Sequence, residues 1–207
     1  MLKPGEKLHV VFDSTGIKVY GEGEWKVKKH GVSKRRTWRK IHVGMCVESG
    51  QVVVSALTSN NISDDEAMIH MMGALEGTPI GDVICDGAYD TIDCREVVHD
   101  LGGRSIIPPD KNAKEHKRSR ILALEERNKT IRRIRELGEE GRALWKKETG
   151  YHRRSRVETF MFRLKTIFGS RLSTRRDWTQ ATEAAIKLDA LNRMTELGMP
   201  KSYKVVV

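Results

Sequence analysis

Residues 8–20 read Leu8-His-Val-Val-Phe-Asp-Ser-Thr-Gly-Ile-Lys-Val-Tyr20. The first six are largely β-branched and aromatic and end in an acid, which predicts a strand that stops at Asp13. Ser14-Thr15-Gly16 supply turn chemistry, and Ile17–Tyr20 alternates as a returning strand. Ile41–Glu48 and Gln51–Thr58 are β-rich runs on either side of Ser49-Gly50, which predicts a hairpin with a two-residue loop. With Leu8–Asp13 they make three consecutive antiparallel strands. Ser63, with Glu66 three residues on, forms a capping box for a helix burying Ala67, Met68, Met71, Met72 and Leu75. Methionines at that spacing fill a core. Val83-Ile-Cys-Asp86 is a second apolar run ending in an acid. Thr91–Leu101 has helical spacing with Ile92, Val97, Val98 and Leu101 inward, and Arg104–Ile107 is one more strand before Pro108-Pro109. The order βββ-α-β-α-β, then helices, is that of an RNase H-like α/β fold: a mixed five-stranded sheet with flanking helices.

Between Asp110 and Gly150 the character changes. Glu125–Lys147 is rich in Arg and Glu and sparsely apolar, which reads as exposed helix without a large core of its own. We expect a single domain over residues 1–207, with its core in about 8–109 and 150–197 and a basic helical insertion over about 110–149. A last helix over Thr179–Leu197 carries Ala184, Ile186, Leu188, Leu191 and Leu197, and the tail after Gly198 and Pro200 should fray.

Net charge is the informative bulk quantity. The 207 residues carry +10, and the cations are gathered: Trp25–His42 holds eight Lys/Arg and no acid. Lys111–Arg176 holds 21 Lys/Arg against eight Glu, so the rest of the chain is net acidic. That pattern is the footprint of a polyanionic partner, DNA above all. In the first block, Trp25, Lys26, Lys28, Lys29, Arg35, Arg36 and Trp38 are the candidate DNA-binding residues, with cations on phosphates and aromatics stacked on bases. A solvated loop anchored by its two tryptophans reads equally well. No apolar run approaches the roughly 20 residues of a membrane helix, and the start lacks the pattern of a secretory signal. Cys46, Cys85 and Cys94 form no CxxC pair, so they read as core residues in a reducing cytoplasm.

The segment Tyr151–Lys165, YHRRSRVETFMFRLK, ties this together. At about 100° per residue, Tyr151, Arg154, Glu158 and Lys165 fall within roughly 60° of one another on a helix running from about Arg153 to Phe168. Val157, Met161, Leu164 and Phe168 form an apolar stripe about a quarter-turn away. Alone this is an amphipathic helix with a solvated Arg154–Glu158 pair. Beside two strand-end acids it becomes a third wall. Asp13, Asp86 and Glu158 would make a hard-oxygen site for Mg²⁺ or Mn²⁺, most simply a pair of ions clamping a displacement at phosphorus. Each aspartate, taken singly, could equally cap the element that follows it.

Three blocks carry a family resemblance: VVFDSTGIKVYGEGEWKVKKHG around Asp13, ICDGAYDT around Asp86, and Tyr151-x2-Arg154-x3-Glu158-x6-Lys165. They resemble the DDE transposases of the bacterial insertion-sequence-five family, in the subgroup of insertion sequence nine-oh-three, whose Y-R-E-K signature has this spacing. LNRMTELGMP near the C-terminus is similar to that family's ending. The resemblance implies an RNase H-like catalytic domain with its DDE triad at Asp13, Asp86 and Glu158. It implies Mg²⁺-dependent cleavage at the element's terminal inverted repeats and strand transfer into target DNA, by a homo-oligomer assembled on DNA. Tyr151, Arg154 and Lys165 would contact DNA near the scissile phosphate. Such transposases carry a further N-terminal region that this sequence does not include. The alternatives are therefore a truncated, non-catalytic DNA-binding remnant or an RNase H-fold repair nuclease.

Overall fold

The computed structural model describes residues 5–19, 38–117 and 121–198. Its centre is one long strand, β1 (Leu8–Val19). Antiparallel to it runs β2 (Trp38–Cys46), matched residue for residue from Val10↔Cys46 to Lys18↔Trp38, and β3 (Val52–Ser59) lies outside β2. On the other edge, parallel to β1, lie β4 (Ile80–Ile84) and then β5 (Arg104–Ile106). The order is β3-β2-β1-β4-β5, and a sixth strand, β6 (Arg171–Leu172), pairs with the far end of β1 at Lys18 and Val19. The mixed sheet with flanking helices matches the sequence expectation, with six strands among the described residues in place of five.

Two local expectations are corrected. Ser14-Thr15-Gly16 make no turn and Ile17 does not return, because every residue from Val10 to Lys18 keeps its partner on β2. The ladder outweighs the turn propensity of three small residues. The hairpin between β2 and β3 also has a longer loop than Ser49-Gly50. Gly50 N–H closes back on Cys46 O at 2.9 Å with Gly50 at φ +69°, a left-handed position suited to glycine, while Val47 N–H leaves to bond His9 O at 2.9 Å.

Helices cover both faces. Side chains alternate along a strand, so Val10 and Phe12 point to one core and Val11 and Ile17 to the other. The Val10 face is covered by α1 (Asp64–Gly73) and α2 (Ile92–Asp100). Ser63 Oγ caps α1 by accepting from Glu66 N–H, and Ala67, Met68, Met71, Met72 and Leu75 are buried as expected. All three cysteines are buried in this layer. Burial pushes the Cys94 thiol up to about 11. Inside α2, Cys94, Arg95 and Val98 are the buried residues, whereas Ile92 is exposed. The Val11 face is covered by α5 (Ser155–Phe168) and α6 (Asp177–Glu196). In α6, Gln180, Ala184, Leu188 and Leu191 face in, while Ile186 and, just past the helix end, Leu197 face solvent, contrary to expectation.

The basic segment forms α3 (Leu122–Glu136) and α4 (Gly141–Glu148). It shares the domain's core, unlike the exposed arm its composition suggested. Leu124, Ile131 and Trp145 are buried, and Trp145 joins the cluster of Val11, Val157 and Phe160. A few large apolar residues suffice because they add to an existing hydrophobic layer.

The helix that carries Glu158 begins later than expected. Tyr151–Arg154 is a single 3₁₀ turn, and α5 starts at Ser155. Val157, Phe160, Met161 and Leu164 are buried against the sheet, while Phe162 on the same helix is 69 % exposed. Leu164→Ala should therefore cost about 2–5 kcal/mol, and Phe162→Ala should stay within about 0.5 kcal/mol of wild type. Urea denaturation of the two variants checks the contrast.

Candidate functional site

The candidate site lies along the edge of β1 that faces β4 and β6. β4 stays with β1 only as far as Val11↔Ile84, and β6 joins only at Lys18↔Arg171. Between them no described strand lies along that edge. In open α/β sheets, ligands bind in a crevice beyond the carboxyl ends of parallel strands, and this gap is such a crevice. Asp13 stands on β1 within it, on the same face as Val11 and Ile17.

Asp86 comes alongside from β4. The strand ends at Ile84, so Asp86 lies two residues beyond it, where continuing the Val11↔Ile84 register sets it opposite Asp13. Its Oδ1 accepts from Ala88 N–H at 2.8 Å and caps the 3₁₀ turn Gly87–Tyr89. The capping expectation for a strand-end aspartate therefore holds for Asp86, alongside any other role.

Glu158 and Arg154 close the gap from above. Arg154 Nη1 lies 3.5 Å from Asp13 Oδ2, and its Nη2 donates to Glu158 Oε1. One guanidinium thus bridges two of the three expected acids, which a solvated i,i+4 pair alone would not do. Asp13 Oδ1 accepts from Ser14 N–H at 2.8 Å. Burial raises the Asp13 carboxyl above the ordinary carboxylate value, and the nearby charges of Asp86 and Glu158 push the same way, against Ser14 N–H and Arg154. Burial likewise raises the Tyr151 and Tyr89 hydroxyls, and Asp86 adds to both.

The donor chemistry suits a hard dication: carboxylate oxygens from three adjacent elements in a partly dry cleft. As arranged, however, no group of three or more His, Cys, Asp or Glu side chains among the described residues is close enough to hold an ion. Arg154 stands between Asp13 and Glu158 and engages both.

The other expected contacts divide. Tyr151 is half-buried, its ring 6.3 Å from that of Trp145 and 4.9 Å from Lys146 Nζ, so α4 forms its wall. Lys165 is exposed two turns along α5 from Glu158. Trp38 starts β2 with Lys18 Nζ 5.5 Å above its ring. Trp25, Lys26, Lys28, Lys29, Arg35 and Arg36 lie outside the described residues.

Other residues around the cleft escaped the sequence reading. Arg153 leaves the same 3₁₀ turn in the opposite direction and pairs with Asp82 of β4 at 2.7 Å, as does Arg104 at 2.7 Å. Burial would raise the Asp82 carboxyl, but the two arginines outweigh it and hold it below its ordinary value. The Arg153–Asp82 pair ties the Arg154 turn to the sheet. Beyond Lys165, the β6–α6 connection is exposed at Arg171, Arg175, Arg176 and Trp178. Glu183 holds it by accepting from Ser173 N–H, Thr174 N–H and Thr174 Oγ1–H. Burial would raise the Glu183 carboxyl, yet Lys187 and those donors keep it at about 2. The signal for this surface was present in the sequence, as Arg175-Arg176 at the end of the second basic block with Asp177-Trp178 directly after it.

The fold defines a class: an RNase H-like mixed-sheet α/β domain, here with Asp13 on the open edge where β4 parts from β1. The family model described as the transposase DDE domain matches residues 4–193, and the chain belongs to that family.

The raised Asp13 pKa has a stability consequence. The folded chain binds that proton more tightly than the unfolded chain. Stability is therefore lost as pH rises from the ordinary carboxylate value through the higher folded one. Asp13→Asn removes the buried charge and should raise Tm at pH 7. The gain should shrink as pH falls through the raised folded value and be nearly gone by about pH 4, the ordinary carboxylate value, which thermal melts across pH check.

Proposed function

We propose that this chain cleaves and joins DNA strands in the transposition of an insertion sequence, as a metal-dependent DDE enzyme of the insertion-sequence-five type. The observation that supports the reading most is Arg154 bridging Asp13 and Glu158 at a gap in the sheet of a transposase DDE domain, with Asp86 near enough to act on the charge of Asp13. These three carboxylates would hold Mg²⁺ or Mn²⁺. Bound there, such ions would supply Lewis-acid chemistry, activating an attacking oxygen and neutralising charge on the leaving oxygen at phosphorus.

The rest of the chemistry is the chain's own. Asp13 is fixed by the β1–β2 ladder and by Ser14 N–H, and Asp86 by the turn it caps. Arg154 presents a planar fork between two acids, and a phosphate entering the cleft offers it a competing bidentate partner. Moving Arg154 onto the phosphate frees Asp13 and Glu158 together. Lys165 and the exposed Arg171, Arg175, Arg176 and Trp178 continue the positive surface away from the cleft, for phosphates and for stacking on bases. Terminal inverted repeats and target DNA are the substrates, with the chain acting as a homo-oligomer on DNA in the cytoplasm. No helix among the described residues is long and apolar enough to cross a membrane.

The test is incubation with Mg²⁺ or Mn²⁺ and DNA bearing the element's ends. Wild type should nick and join, while Asp86→Ala and Glu158→Gln should do neither. Glu158→Gln should also unfold within about 1 kcal/mol of wild type, because the half-exposed Arg154–Glu158 pair contributes little. Salt-sensitive binding without nicking by wild type would mark a non-catalytic DNA-binding domain, and nicking without joining would mark a nuclease.

The exposed cations give a separate expectation. Lys165→Ala should weaken DNA binding evenly across sequences and lower the slope of log K against log salt by about 0.9. Fluorescence anisotropy at several salt concentrations measures it.

A further inference from the structure

A buried carboxylate lies one turn from Asp86. Asp86 caps the start of the 3₁₀ turn Gly87–Tyr89, and Asp90 ends it, its N–H bonded to Gly87 O. The Asp90 side chain is only 6 % exposed, yet it carries no part of the proposed chemistry. Arg95 of α2, itself 1 % exposed, reaches Asp90 Oδ1 through Nε at 2.9 Å and through Nη2 at 2.7 Å. Arg127 of α3 takes the same carboxylate as a fork, with Nε 3.1 Å from both oxygens and Nη2 2.9 Å from Oδ2.

Each arginine is anchored further. Arg95 donates to Ser105 Oγ and Ile107 O at the end of β5, and Arg127 donates to Lys114 O. On the other side of the turn, a Cβ on Gly87 would lie 3.3 Å from Pro108 O. The Asp86 turn is therefore held from α2, from the β5 exit and from the basic helices at once.

Stability alone is a poor reason for such a cluster. Taking an acid and two guanidinium groups out of water costs about what their attraction returns, and apolar packing often does as well. What the cluster provides is position. We infer that Asp90, gripped by Arg95 and Arg127, is a positioning group that sets the Asp86 carboxylate, so that docking of α3 controls the geometry of the cleft. The consequence for activity rests on the function proposed above; the effect on the turn does not.

Arg127→Gln is the variant of choice, since Asp90 keeps both bonds from Arg95 and the fold retains its buried pair. Hydrogen exchange should show the amides of Ala88, Tyr89 and Asp90 opening about tenfold faster, the loss expected for a hydrogen bond to a charged group. Amides of α5 should be unchanged, and Arg127→Lys should restore part of the protection. In cleavage assays the Mg²⁺ concentration for half-maximal rate should rise while DNA affinity stays at the wild-type value. Unchanged exchange in the turn, or an increase spread evenly over the domain, overturns the inference. So does an unchanged Mg²⁺ requirement in a variant whose turn has loosened. If wild type does not cleave at all, the proposed function fails, and the exchange data alone decide whether Arg127 positions the turn.

Discussion

Nine consecutive residue pairs between β1 and β2 hold β1 extended past the point where β4 stops. Everything at the cleft follows from that overhang. A strand that turned at Ser14 would carry Asp13 to a loop at the sheet's rim. Because the ladder runs on to Lys18↔Trp38, Asp13 instead sits mid-strand, with one edge of β1 paired and the other open until β6 arrives. An acid in that position is partly stripped of water, and its raised pKa is the electrostatic record of the burial.

Two adjacent arginines divide the work of closing the cleft. Arg153 and Arg154 sit in the 3₁₀ turn before α5 and point to opposite partners, Asp82 on β4 and Asp13 on β1. Asp82 has two arginines, and its low pKa marks a settled structural pair. Asp13 is partly buried, beside two like charges and one bridging arginine, and its pKa moves the other way, chiefly through the burial. The same residue types in the same turn therefore build an anchor on one side and an electrostatically tense site on the other. Groups whose environments push their pKa values apart are where chemistry concentrates.

The basic helices α3 and α4 are part of this arrangement. Trp145 enters the core beside Val157 and Phe160, and its ring faces Tyr151. Arg127 reaches from α3 to the turn that carries Asp86. Through an aromatic contact and a buried ion cluster, the segment touches both walls of the cleft.

The sequence by itself determined the element order, the Ser63 cap, the methionine-lined helix and the apolar stripe of α5. These are local matters of periodicity, propensity and spacing, legible because each depends on neighbours a few residues away. It misplaced Ile92, Ile186 and Leu197 because helical spacing does not say how wide the covering surface is. It broke β1 at Ser14 because the ladder that overrides the turn signal comes from residues some thirty positions later. Only the tertiary structure decided that Arg154 bridges Asp13 and Glu158, that Arg153 serves Asp82, and that Asp90 is buried between two arginines. Those pairings join residues as far as 141 positions apart. Their partners are chosen by which strand edges and helix faces meet, and no spacing within one segment records that.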